Sequence, residues 1–202
     1  MPTALAPARP VPTYTDSHTR ACRRVGSNQE AAALDPLVSA MQDYMPADAP
    51  EGWEKLGTGA FRVALRSPAG WVYKVPLGLH GVEASQREVC FWRMALRHQE
   101  YRALVPHYRL FEVGGWPVVA MESLTVDRTR ANFPQDDEDR EKIRELREAA
   151  YHVGCGDLHG GNVGWRGDHA LLLDAGGAAD ARVTKNSGCA HCNPIYEARR
   201  TR

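Results

Sequence analysis

An aspartate, an asparagine five residues on, and a second aspartate after a short apolar run stand at Asp157, Asn162 and Asp174. They lie within Cys155-Gly156-Asp157-Leu158-His159-Gly160-Gly161-Asn162 and Leu171-Leu172-Leu173-Asp174-Ala175-Gly176. One carboxylate to orient a hydroxyl, with an amide and a second carboxylate to hold Mg²⁺, is the set that phosphoryl transfer requires. Each residue alone carries little. Order and spacing carry the reading, provided the chain upstream supplies a phosphate-cradling loop and a lysine.

Both are present. Leu56-Gly57-Thr58-Gly59-Ala60-Phe61-Arg62 joins two strand-like runs, and glycines at Gly57 and Gly59 would let backbone amides approach a triphosphate that side chains would obstruct. The loop lacks the Gly-Lys-Ser/Thr of a Walker loop, and no helix follows it as a dinucleotide fingerprint demands; by itself it reads equally as a glycine-rich hairpin. Val72-Tyr73-Lys74-Val75 then sets a lysine in a strand between apolar neighbours, on the same face as Val72. A lysine directed into an apolar pocket needs a partner. Glu88, on the helix that follows, is the expected carboxylate, with Glu83 as the alternate; the plainer reading is a snorkelling lysine and a surface glutamate.

The elements that must position these groups follow from periodicity. Residues 53–56, 61–66 and 71–75 read as a three-stranded meander broken by Gly57-Thr58-Gly59 and Ser67-Pro68-Ala69-Gly70. Residues 82–97 read as a helix burying Val89, Phe91, Trp92, Ala95 and Leu96. Gly114-Gly115 between residues 108–113 and 117–122 signals a hairpin. Residues 136–151 form a charged helix with Ile143, Leu146 and Ala150 on one face, its Asp136-Asp137-Glu138-Asp139 start suiting the helix dipole. Short strands near 163–165 and 170–173 bracket Arg166-Gly167-Asp168. Strands first and helices later give an α+β arrangement of two lobes. Four segments are expected: a disordered arm over 1–33, a helix and linker over 34–52 with Asp35 as N-cap and Pro36 after it, a strand-rich lobe over 53–124, and a truncated second lobe over 125–202.

The totals bound the rest. A chain of 202 residues, 43% hydrophobic and 25% charged, can bury a real core. Zero formal net charge gives no global field towards nucleic acid, and no apolar run reaches the length of a membrane span. Five scattered cysteines, Cys22, Cys90, Cys155, Cys189 and Cys192, are unlike a secreted disulfide framework, so a reducing cytoplasm is expected. Cys189-Ala190-His191-Cys192 is half of a zinc pattern that Cys22, Cys155 or a distant His would have to complete.

In this order the pieces resemble the protein-kinase-like superfamily across roughly residues 53–176. The Asp157-Leu158-His159-x-x-Asn162 wording is similar to aminoglycoside phosphotransferases, choline kinases and small kinase-like proteins of bacteriophages. The resemblance implies a two-lobed fold with a truncated C-terminal lobe and an ATP- and Mg²⁺-dependent phosphotransferase, sited in the host cytoplasm if phage-encoded. It further implies Gly57 and Gly59 over the phosphates, Lys74 on the α/β-phosphates, and Glu88 orienting Lys74. A hinge at Met121-Glu122-Ser123-Leu124 would take the adenine edge through Glu122 and Leu124. Asp157 would be the base, and Asn162 and Asp174 the metal ligands. The chain departs from the pattern in four places: Arg62 replaces the third loop glycine, Cys155 the usual His, Gly156 the Arg of the protein-kinase form, and Ala175 the Phe of protein kinases. No Ala-Pro-Glu segment follows Asp174, so the platform that docks a protein acceptor is expected to be missing or much reduced. The acceptor is read as a protein Ser/Thr hydroxyl of this chain or of another protein, with a small-molecule hydroxyl and an inactive, nucleotide-binding interaction protein as alternatives. No nucleic acid or membrane partner is expected, and a homo-oligomer is allowed for.

Overall fold

The computed structural model describes residue 18 and residues 20–45, 47–96, 102, 104–152 and 158–175. Five antiparallel strands form one sheet in the order β1-β2-β3-β5-β4: β1 (Glu54–Thr58), β2 (Arg62–Arg66), β3 (Val72–Pro76), β4 (Tyr108–Val113) and β5 (Trp116–Met121). β3 is central and every one of its residues is buried, so its two faces belong to two different cores. Val63, Leu65, Tyr73, Val75, Val118 and Ala120 pack with Leu34, Leu37 and Val38 on one side. Val72, Val119 and Met121 pack with Val89, Phe91 and Trp92 on the other. The period of two along each strand produces this sorting. Gly114 and Gly115 have φ of 53° and 77° and close the β4–β5 turn; positive φ at both positions matches the twist of the strands they join.

Helix α1 (Asn28–Ala33) and helix α2 (Asp35–Gln42) cover the first face, and helix α3 (Leu79–Ala95) covers the second. Then come α4 (Arg128–Asn132), α5 (Asp137–His152), a 3₁₀ turn at Gly160–Asn162, and the hairpin of β6 (Val163–Arg166) and β7 (His169–Leu172). Ile143, Leu146 and Ala150 of α5 join Trp165 and Leu172 of that hairpin in the α3-side core. Thr125 bridges to Trp165 and ties the segment after β5 to β6.

Three expectations change. Within the segment 1–33, expected to be disordered, Val25 and Ala31 are buried and α1 is formed. Ser27 caps it by accepting from Glu30 N–H, and Tyr73 O–H donates to Glu30 at 3.1 Å. The N-cap of α2 is Leu34, with Asp35 already helical and Pro36 in the first turn. Cys90 is disulfide-bonded, so the cysteines are not uniformly free thiols. Among the described residues no helix is long and apolar enough to cross a membrane.

Candidate functional site

Arg62 and Ala64 share one face of β2, and Lys74 lies opposite Ala64 in the β2–β3 register. Arg62 and Lys74 therefore project from the same side of the sheet, towards α3. There Glu88, wholly buried, meets both: Lys74 Nζ donates to Oε1 and Arg62 Nη1 to Oε2. Glu88 is thus the lysine's partner, whereas the alternate Glu83 pairs with Arg87 along the helix at 3.6 Å. Lys74 also lies 5.6 Å from the centre of the Trp92 ring.

The same two cations reach the segment after β7. Lys74 Nζ donates to Leu173 O at 2.6 Å, and Arg62 Nη2 donates to Asp174 Oδ1 at 2.7 Å. Asp174 Oδ2 stands 3.9 Å from Lys74 Nζ. Two cations and two carboxylates balance one another, with Arg62 8% and Lys74 6% exposed. Burial alone would lower the guanidinium's proton affinity; the facing carboxylates of Glu88 and Asp174 more than offset it and hold Arg62 above its ordinary value.

Asn162 comes to the same place through the main chain. It ends the 3₁₀ turn that His159 opens by accepting from Gly161 N–H, and Leu173 N–H donates to Asn162 O at 2.8 Å. The turn is held from below, because Gly160 N–H donates to the Asn132 side chain at 3.0 Å. Asn162 and Asp174 line a cavity of about 440 Å³ beneath Gly57, Gly59 and Phe61, with Arg62, Lys74 and Arg128 also on its wall. An amide and a carboxylate offer the oxygen donors that Mg²⁺ takes alongside phosphate and water. Among the described residues no group of three His, Cys, Asp or Glu side chains is placed to hold a metal.

A neighbouring cavity of about 650 Å³ has Leu56, Ala64, Val72, Met121 and Leu173 as apolar walls and Ser123, Leu124 and Thr125 along one edge. Gly57 borders both cavities, and a Cβ built on it meets nothing within 4 Å. Its bareness therefore answers no demand of the chain's own packing.

The expected residues thus divide. Gly57, Gly59, Lys74, Asn162 and Asp174 line the glycine-strand cavity, Leu124 lines the second, and Glu88 stands behind Lys74. Glu122 does not line either cavity: its side chain accepts from Arg166 and from His107 N–H at 2.6 Å, and its own N–H donates to His107 O at 3.0 Å. Asp157, Cys155, Gly176, Cys189 and Cys192 lie outside the described residues. Arg62 was legible only as a missing glycine. Arg128 gave no sequence signal, yet it borders both cavities.

No family model matches the sequence, and no curated protein matches it. Among solved structures, the GDP complex of wild-type aminoglycoside 2'-phosphotransferase-IIIa is similar over 60% of this chain and 42% of that one, at 18% identity and a TM-score of 0.38. The GDP complex of a point mutant of that enzyme gives the same identity and TM-score over 41% of its length. The chain spans under half the length of the solved enzymes it matches.

Proposed function

We propose that this protein is a phosphotransferase of protein-kinase-like fold that moves the terminal phosphoryl group of ATP to a hydroxyl. The observation that carries the reading is the convergence of Lys74, Glu88, Leu173 O and Asp174 beneath the glycine strand, with Asn162 on the same cavity wall. The apolar cavity would take the adenine, with the Leu124 main chain at its edge, and the polar one the phosphates. Lys74, held by Glu88, would neutralise the α/β-phosphates; Gly57 and Gly59 would let the main chain close over them. Asn162 and Asp174 would hold Mg²⁺, which supplies charge neutralisation on the phosphates when bound. Asp157, a residue before Leu158, is the base in this reading and would orient the acceptor hydroxyl.

For the acceptor, a Ser/Thr hydroxyl of this or another protein is our first reading, and a small-molecule hydroxyl the second, which the Asp157-Leu158-His159 wording favours. Incubation with γ-labelled ATP and Mg²⁺, in the presence either of cell proteins or of hydroxylated small molecules, separates the two. Label should move in the wild type and stay on ATP in Lys74→Met and Asp157→Asn. Neither ATP hydrolysis nor transfer in the wild type would end the phosphotransferase reading. A nucleotide-dependent melting shift without turnover would instead favour a binding protein, the reading to which the Arg62–Asp174 contact lends weight.

A further inference from the structure

Arg62 occupies the position at which the site's carboxylate would meet a cation. Its guanidinium bridges two acids that lie on different elements, Glu88 on α3 and Asp174 after β7, and 112 residues separate Arg62 from Asp174. It is buried, and of its contacts the one to Asp174 faces the cavity that Asn162 and Lys74 also line. A planar fork making one bond to each carboxylate is held on both sides, unlike a surface arginine that wanders through rotamers.

We infer that Arg62 is an internal counter-ion that competes with a divalent cation for Asp174 and, once a nucleotide is bound, turns to its phosphates. This rests on the phosphotransferase reading for the identity of the nucleotide. The consequence is a site less dependent on metal than its donor set suggests. In the nucleotide-free protein, a cation approaching Asp174 competes with Arg62, whose charge-assisted hydrogen bond holds Oδ1. A triphosphate entering without metal finds two buried cations, Lys74 and Arg62, already facing its cavity. Arg62 replaces a glycine of the family pattern, so the loop would exchange backbone closure for a fixed positive charge.

The test compares wild type with Arg62→Ala and Arg62→Met, the second retaining the buried stem should the first fold poorly. Mn²⁺ binding to nucleotide-free protein is followed by electron paramagnetic resonance, and ATP binding in EDTA by calorimetry. Losing one charge-assisted bond to Asp174 should tighten Mn²⁺ by about tenfold and weaken metal-free ATP by about tenfold in either variant. Mn²⁺ affinity that is unchanged or lower in a variant that melts cooperatively would overturn the inference. The phosphotransferase reading is judged separately, on label transfer by the wild type, and its failure would leave the Mn²⁺ comparison standing on its own result.

Discussion

Removing Glu88 should be more damaging than removing the lysine it holds. Glu88 is fully buried and accepts from both Lys74 and Arg62, each under a tenth exposed. In Glu88→Gln the amide oxygen can still accept from one cation, but the NH₂ group faces the donors of the other. Two buried positive charges are then left with Asp174, whose side chain is 37% exposed. Breaking one side of a buried pair costs about 3–5 kcal/mol, and for a chain of this size each kcal/mol moves the melting temperature by roughly 2–4 °C. Glu88→Gln should therefore lower Tm by about 10 °C. Lys74→Met is the contrasting case, since Arg62 still pairs with both carboxylates and the thioether stem packs beside Trp92 and Val72. Its cost should stay at about 2 kcal/mol, the net scale of the two hydrogen bonds lost, to Glu88 and to Leu173 O. Urea denaturation followed by circular dichroism measures both. A Lys74→Met variant as unstable as Glu88→Gln would refute the charge-balance argument.

Gly57→Ala should leave stability unchanged or raise it by about 0.5–1 kcal/mol, the usual glycine penalty, because its Cβ meets open space; calorimetry should show weaker ATP binding, and a loss of stability would contradict the open-space reading. Tyr73→Phe removes bonds to Glu30 and to Ser27 N–H on the face away from the cavities, so it should cost about 1–2 kcal/mol in urea with ATP binding unmoved; altered ATP affinity would show that the two faces are coupled. His18 is buried, and burial, aided by His107, lowers its pKa from 6.5 to about 4. The unfolded chain then binds the proton first, so stability is full above pH 6.5 and falls as pH drops towards 4. His18→Phe should flatten that slope in urea titrations between pH 7 and 5, and an unchanged slope would assign it to other groups.

The strands were legible because alternation and glycine breaks coincide. Val72, Lys74 and Val119 on one face and Tyr73, Val75 and Val118 on the other leave little freedom of register. Glu88 could be favoured over Glu83 but not assigned, since both lie on α3 and only packing shows which one reaches the sheet. The segment 1–33 reads as an arm in sequence because Ala, Arg and Ser dominate it and hide the buried His18, Val25 and Ala31. The sign that was there is the Ser27-x-x-Glu30 pattern of a capping box, of which the structure keeps the Glu30 N–H to Ser27 Oγ bond while Ser27 N–H donates to Tyr73 instead. For the hinge, a sequence does not say to which side of an edge a connector turns, and the Glu122 side chain is drawn away from the cavities by His107 and Arg166. The role of Arg62 depends on a contact across 112 residues, which no local pattern encodes.

The main chain of one residue, Leu173, ties three parts of this site together. The N–H of Leu173 reaches Asn162 and its carbonyl receives Lys74, while its neighbour in sequence is Asp174. Those two hydrogen bonds do not depend on the side chain at position 173, so an alanine there would report only on the apolar wall that Leu173 gives the neighbouring cavity. Proline alone, by deleting the N–H, would cut the tether to Asn162. A lineage of this chain could therefore exchange Leu173 for another apolar residue and keep both tethers of its site.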